Sequence, residues 1–288
     1  MRLLLSTAMM LFVFNTFAGG PWVKEKNDGI LINSISTVIY KTMSSSTGSG
    51  INLPRRVSDI SQQNYLEFGI TNSLTMIANL ELKYVGTSSK VFTTSDFNTV
   101  LPYDKLFGIG NSSLGFKYGI TKSKFLFSLS YTTEFPNAGS KNNSGLRTGA
   151  PTWGFVPGVH LGQGFSKGVY YYVEGYFVAR NKWSHEWRVN AEVGYTFKRP
   201  LTMALFLSSK QSLGNKTVND DPNYIHTGLF LNNQEFIAWN FKFMHDINDR
   251  MGIMTSLAGG FTTRLIARTP VISGGFYFQW DKQNTATN

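Results

Sequence analysis

Ten charged residues recur on one phase of otherwise apolar-alternating segments: Glu67, Glu81, Lys83, Lys117, Glu134, Glu174, Glu186, Arg188, Glu192 and Lys242. Both signs occur in similar numbers, so a strongly anion- or cation-selective ring is not indicated. Such a set either pairs across a narrow space and fills it, or lines a solvated passage. Glu81, Lys83, Lys117, Glu174, Arg188, Glu192 and Lys242 are the residues expected to set selectivity in the second case. Catalytic chemistry finds less support. Ser184-His185-Glu186 has the residue types of an acyl-transfer trio, but neighbours in a strand point to opposite faces, so His185 and Glu186 cannot converge. His160 lies on the charged phase, within reach of Glu174 or Glu192, and reads as a packed polar residue. His226 falls in a loop and His245 near a turn, and no pair has metal-ligand spacing. Asp220-Asp221 reads as a solvated loop pair rather than a cation site. Gly108-Ile109-Gly110 lacks the further glycines and the helix of a dinucleotide site. With no cysteine in the chain, disulfides and thiolate metal sites are excluded. No catalytic residue, metal or cofactor is expected.

The segment that best shows how these charges are positioned is His185–Phe197. Trp187, Val189, Ala191, Val193, Tyr195 and Phe197 form one face, while Glu186, Arg188, Asn190, Glu192, Gly194 and Thr196 form the other. A period of two is that of a strand. Aromatics at both ends with small aliphatics between suit a strand crossing a bilayer, because amphipathic rings favour the two headgroup levels.

The same alternation recurs along the chain. Strands are expected at Ile30–Met43 (with poor phase), Gln63–Ile70, Leu74–Val85, around Gly108–Ile120, Phe125–Phe135 and Trp153–Phe165. Further strands follow at Val169–Arg180, the segment above, Leu201–Lys210, about Asn233–Asp246, Met251–Phe261 and Pro270–Trp280. Short turns (Thr71–Ser73, Thr121–Lys124, Ser166–Gly168, Lys198–Pro200, Ile247–Arg250) alternate with longer links, including Ser44–Asp59, Gly86–Lys105, Pro136–Thr152 and Gln211–Leu229. About 11 residues at roughly 3.3 Å each, tilted about 40°, rise about 28 Å, near the thickness of a membrane. The expected fold is an all-β, antiparallel, up-and-down transmembrane β-barrel of about 12 strands with both termini periplasmic. A closed barrel leaves no unpaired backbone edge in lipid.

Residues 1–18 read as an export signal, with Arg2 ahead of an apolar run and Thr16-Phe17-Ala18 as the cleavage site. That run falls short of the 18–20 residues of a membrane helix. Residues 19–288 would then form the barrel, after a polar lead-in at Gly19–Gly29, and Asp281–Asn288 reads as a frayed tail. A net charge of +10 with scattered basic residues does not suggest nucleic acid. The mean hydropathy of −0.14 excludes a helical membrane protein but not a barrel.

The stretch Tyr65-Leu66-Glu67-Phe68-Gly69-Ile70-Thr71-Asn72-Ser73-Leu74 resembles the strand–turn–strand pattern of a family of outer-membrane barrels labelled after a phenol-degradation pathway. Phe116-Lys117-Tyr118-Gly119-Ile120-Thr121 echoes it. Gly20-Pro21-Trp22 followed by Gly29 is similar to the start of related surface-polysaccharide-associated barrels. The resemblance implies passage of small hydrophobic or aromatic compounds and supplies no catalytic residue.

Together these readings lead to a porin-like channel in the bacterial outer membrane, partnered by lipid and a small-molecule solute. Two alternatives stay open. One is a structural or adhesive surface barrel whose long loops bind polysaccharide; the other is a lipid-hydrolysing barrel enzyme. A Ser oxygen within hydrogen-bond reach of His160 or His185 would be the mark of the enzyme.

Overall fold

The computed structural model describes residues 19–92, 100–121, 123–165, 167–197, 200–214 and 222–280. The expected export signal (1–18), the Asp220-Asp221 pair and the tail (281–288) lie outside the described residues. The alternating segments form barrel strands β1 (Gly29–Ser44), β2 (Gly50–Gly69), β3 (Leu74–Thr87), β4 (Lys105–Ile109 with Ser113–Gly119), β5 (Phe125–Glu134) and β6 (Gly154–Gly164). They continue as β7 (Val169–Arg180), β8 (Glu186–Thr196), β9 (Leu201–Ser212), β10 (Glu235–Asp246), β11 (Met251–Arg264) and β12 (Val271–Trp280). The sheet contains 13 hydrogen-bonded segments, and both pieces of β4 pair with β3, which gives a barrel of twelve strands. Each strand runs antiparallel to the next, and β1 bonds both β2 and β12, closing the cylinder.

The two faces divide as the alternation requires. Trp187, Val189 and Val193 on β8 are each 50% exposed, and Phe241 on β10 is 48% exposed, whereas Glu192 is only 5% exposed. The apolar face is therefore the outside of the cylinder, where lipid rather than water makes such exposure favourable. Aromatic pairs such as Tyr195–Phe197 and Phe177–Trp187 stand near the strand ends.

Several boundaries differ from the sequence expectation. The poor phase of β1 resolves with Leu31, Ile35 and Ile39 outward. The stretch read as a loop over Ser44–Asp59 is mostly strand, because β2 begins at Gly50. Pro54 is accommodated at a register shift: Thr42 faces Asn52 and Tyr40 already faces Val57, so the intervening residues bulge. At a bulge the missing proline N–H costs no ladder bond. The fourth strand is broken at Gly110, where an added Cβ would lie 2.2 Å from the Glu81 carboxylate. Short connections also occur at the end carrying the long loops, at residues 45–49, 181–185 and 265–270, so the strict alternation of link lengths does not hold. Both chain ends of the barrel, Gly29 and Trp280, pair with each other at the end that carries the short turns, hereafter the turn end.

Candidate functional site

The inside of the barrel is the candidate site, and each of the ten charged residues expected to face inward does so. Most are in ion pairs. Lys117 Nζ lies 3.0 Å from Glu67 Oε1, with side chains 1% and 0% exposed. Lys242 meets Glu192 at 2.6 Å, and Lys83 bridges Asp59 at 2.9 Å and Glu81 at 3.5 Å. Near the loop end Arg188 joins Glu134 at 2.7 Å and Glu186 at 2.9 Å, while Arg180 and Lys210 reach the same carboxylates. Arg180, Lys210 and Asp59 were missed by the sequence reading. The first two continue the inward phase of β7 and β9 by one step, so the signal was present; Asp59 lay in the stretch read as loop.

A hydrogen-bonded belt crosses five consecutive strands at mid-height. Ser130 Oγ lies 2.8 Å from His160 Nε2, and His160 Nδ1 lies 3.2 Å from Glu174 Oε2. Asn190 Nδ2 donates to Glu174 Oε1 at 2.9 Å, and Ser208 Oγ donates to Asn190 Oδ1 at 2.7 Å. Glu174, not Glu192, is thus the partner of His160. A serine oxygen within reach of that histidine is also what a hydrolytic site would require. His185 and Glu186 diverge as expected: His185 Nδ1 accepts the Arg180 backbone N–H at 3.1 Å, whereas Glu186 points inward to the arginines.

The opposite wall is built of small hydroxyl residues. Ser61 on β2 faces Ser36 on β1, Ser36 faces Ser273 on β12, and Ser273 faces Ser256 on β11. Ser34 and Gly275 sit opposite each other two residues along. The interior is therefore asymmetric, with long paired charges on β5–β9 and short hydroxyls on β11, β12, β1 and β2.

Both mouths are covered by chain. At the turn end, residues 19–28 run inside the barrel rather than beside it: Lys24 N donates to Thr75 Oγ1 at 2.7 Å and Asn27 N to Gly69 O at 2.8 Å. The approach is close, since a Cβ on Gly69 would fall 1.8 Å from the Glu25 carbonyl oxygen. Trp22 meets Tyr170 and Tyr172 edge-on at 6.0 and 5.8 Å. At the loop end, Leu146, Tyr224, Leu229 and Leu231 from two long loops pack on Tyr40, Met43, Leu53, Val57, Val85 and Leu265. Arg147 lies over the Tyr224 ring at 3.4 Å, and Phe230 sits beneath Lys83 Nζ at 4.6 Å.

Two titratable groups in this cap respond to acid in the same sense. Burial, then the nearby Arg55 charge, lowers the pKa of His226. Burial raises that of Asp104, but hydrogen bonds from Lys141, the Lys105 N–H and Ser144 outweigh it and the net shift is downward. In both cases the unfolded loop binds protons more readily than the folded one, so stability falls as pH falls. His226 acts from about pH 6.5 downward and Asp104 below about pH 4. Trypsin should therefore cleave at Lys141 and Arg147 faster at pH 5 than at pH 8, after correction for the enzyme's own profile; equal rates would refute the sign.

These features define a class: a closed transmembrane β-barrel of the outer-membrane type, with a polar interior and covered mouths. No family model matches the chain, and no curated protein matches it. Among solved structures it is similar to an outer-membrane channel from Pseudomonas putida F1, with 10% identity and a TM-score of 0.69 over 92% of this chain and 100% of that one. It is also similar to the NanC porin, with 8% identity and a TM-score of 0.52 over 86% of this chain and 100% of that one. At these identities the likeness is one of fold.

Proposed function

We propose that the protein is a channel of the bacterial outer membrane, with its turn end and both termini in the periplasm, that passes a small solute passively. The observation that carries this reading is the asymmetric interior. A barrel filled only for stability has no need of a serine wall facing a charged one, whereas a solute path needs room and hydrogen-bonding groups. Pairing of both signs leaves little net field, so selectivity between anions and cations is weak. Glu81, Lys83, Lys117, Glu174, Arg188, Glu192 and Lys242 tune passage through this paired network. Inward Tyr65, Tyr170, Tyr172 and Tyr176 give the turn end an aromatic lining. With the resemblance to phenol-pathway barrels, that lining favours a small hydroxylated aromatic solute. Purified protein in liposomes should admit phenol several-fold faster than a sugar of twice its mass, with a reversal potential near zero in a salt gradient. An impermeable barrel would refute the reading.

Hydrolysis is the second reading, and Ser130–His160–Glu174 is the observation in its favour. Acyl transfer also needs donors aimed at the developing oxyanion. Ser130 and His160 lie within ladders on β5 and β6, where backbone N–H groups are committed to neighbouring strands. We therefore assign the trio to positioning Glu174, and expect no labelling of Ser130 by a fluorophosphonate probe. Labelling that Ser130→Ala abolishes would establish the enzyme instead.

A further inference from the structure

The lead-in segment ends at a buried acidic pair. Gly19 N donates to Glu67 Oε1 at 3.4 Å, and Gly20 N donates to Glu174 Oε2 at 3.2 Å. Gly20 O accepts from Lys117 Nζ at 3.2 Å. Glu67 is 0% exposed, yet its Oε2 has no hydrogen-bond partner among the described residues. A buried carboxylate oxygen without a donor is costly, and one long amide contact to the other oxygen does little to offset it.

We propose that the α-ammonium of Gly19, released when the export signal is removed after Ala18, binds the Glu67 carboxylate and locks the lead-in across the turn end. Signal peptidase hydrolyses the Ala18–Gly19 bond. Water supplies a hydroxyl to the Ala18 carbonyl carbon and the C–N bond breaks. The Gly19 nitrogen takes the remaining hydrogen and the proton of the new acid, which leaves a carboxylate and –NH3+. One neutral N–H thereby becomes three donors carrying a full positive charge. Charge-assisted bonds are about twice as strong as neutral ones, and the new donors can serve both oxygens of Glu67. Glu174, tied to the Gly20 N–H and to His160, places a second negative charge beside the same nitrogen's neighbour. Removal of the signal would therefore complete the ion pairing inside the barrel, and the seated segment would belong to the processed chain alone.

The test uses mature protein extracted from outer membranes into detergent micelles. Its amines are acylated at pH 7 with an acetyl N-hydroxysuccinimide ester, and the N-terminal peptide is followed by mass spectrometry. The expected N-terminus is Gly19, with an α-amine that reacts at least about tenfold more slowly than in a form carrying Ser-Ala ahead of Gly19. Glu67→Gln should show the same acceleration. If that variant does not fold, the extended form decides, because it leaves the Glu67–Lys117 pair intact. A mature chain starting elsewhere, or equal rates in both forms, overturns the proposal. Conductance is not the readout, so this inference and the channel reading fail separately.

Discussion

Lys117→Met is expected to lower barrel stability by about 3–5 kcal/mol, because it strands the Glu67 carboxylate in a site that water does not reach. Lys117 Nζ also donates to Gly20 O, so the substitution loosens the lead-in together with the ion pair. Urea unfolding from lipid vesicles, followed by tryptophan emission, measures the loss. Desolvation decides its size: the pair itself gains modestly over an apolar isostere, whereas a lone buried charge gains nothing. The double variant Lys117→Met, Glu67→Leu should therefore recover most of the loss. A single substitution costing under about 1 kcal/mol would mean that Glu67 is hydrated. An α-ammonium bound to the same carboxylate would bring the single-variant loss toward the lower end of the range.

The barrel was legible because a strand buried on one side and bathed in lipid on the other must alternate at every step. β7 is found with the same bounds, Val169–Arg180, as the alternation predicts, and β8 differs by one residue at each end. The inward charges were legible for the same reason, since phase alone places Glu174 and Glu192. What was not legible depends on contacts between distant segments. Pro54 and the Ser/Gly run around it have the composition of a loop, and only the packing of Leu53, Arg55 and Val57 beneath two folded-over loops makes that stretch a strand. Residues 19–28 are short and polar, as an exposed lead-in would be. Their place inside the barrel depends on Gly69, Gly119 and Gly162, whose missing side chains admit Glu25, Val23 and Pro21. Alternation says which face a residue takes and nothing of what fills the space behind it. For that reason Ser130, on the same face as His160 but two strand positions from its register partner Ser128, could not be matched to it from sequence.

Arg55→Leu should produce the largest functional change. The Arg55 side chain is 1% exposed, and its guanidinium donates to Pro102 O at 2.6 Å and Ser144 O at 2.5 Å, with longer contacts to Leu101 O and Ser89 O. One side chain thus ties both long loops of the neighbouring strands to the inner face of β2. Hydrogen bonds from a charged donor contribute about 1.5–3 kcal/mol each, so losing the two short ones costs the closed cap about 3–6 kcal/mol. The carbonyls can regain partners by swinging into water, so the loss falls on the cap and not on the barrel ladder, whose backbone bonds are untouched. At 1.4 kcal/mol per tenfold, the population with loops lifted should rise at least about 100-fold. Amide exchange in residues 100–104 and 142–150 should accelerate by that factor while exchange in β8 stays as it was, and single-channel conductance should increase. Arg55→Lys keeps the charge but not the planar fork, and should fall between. If exchange in the loops is unchanged, Arg55 is not what holds the cap closed, and the apolar packing of Leu146, Tyr224 and Leu231 must suffice without it.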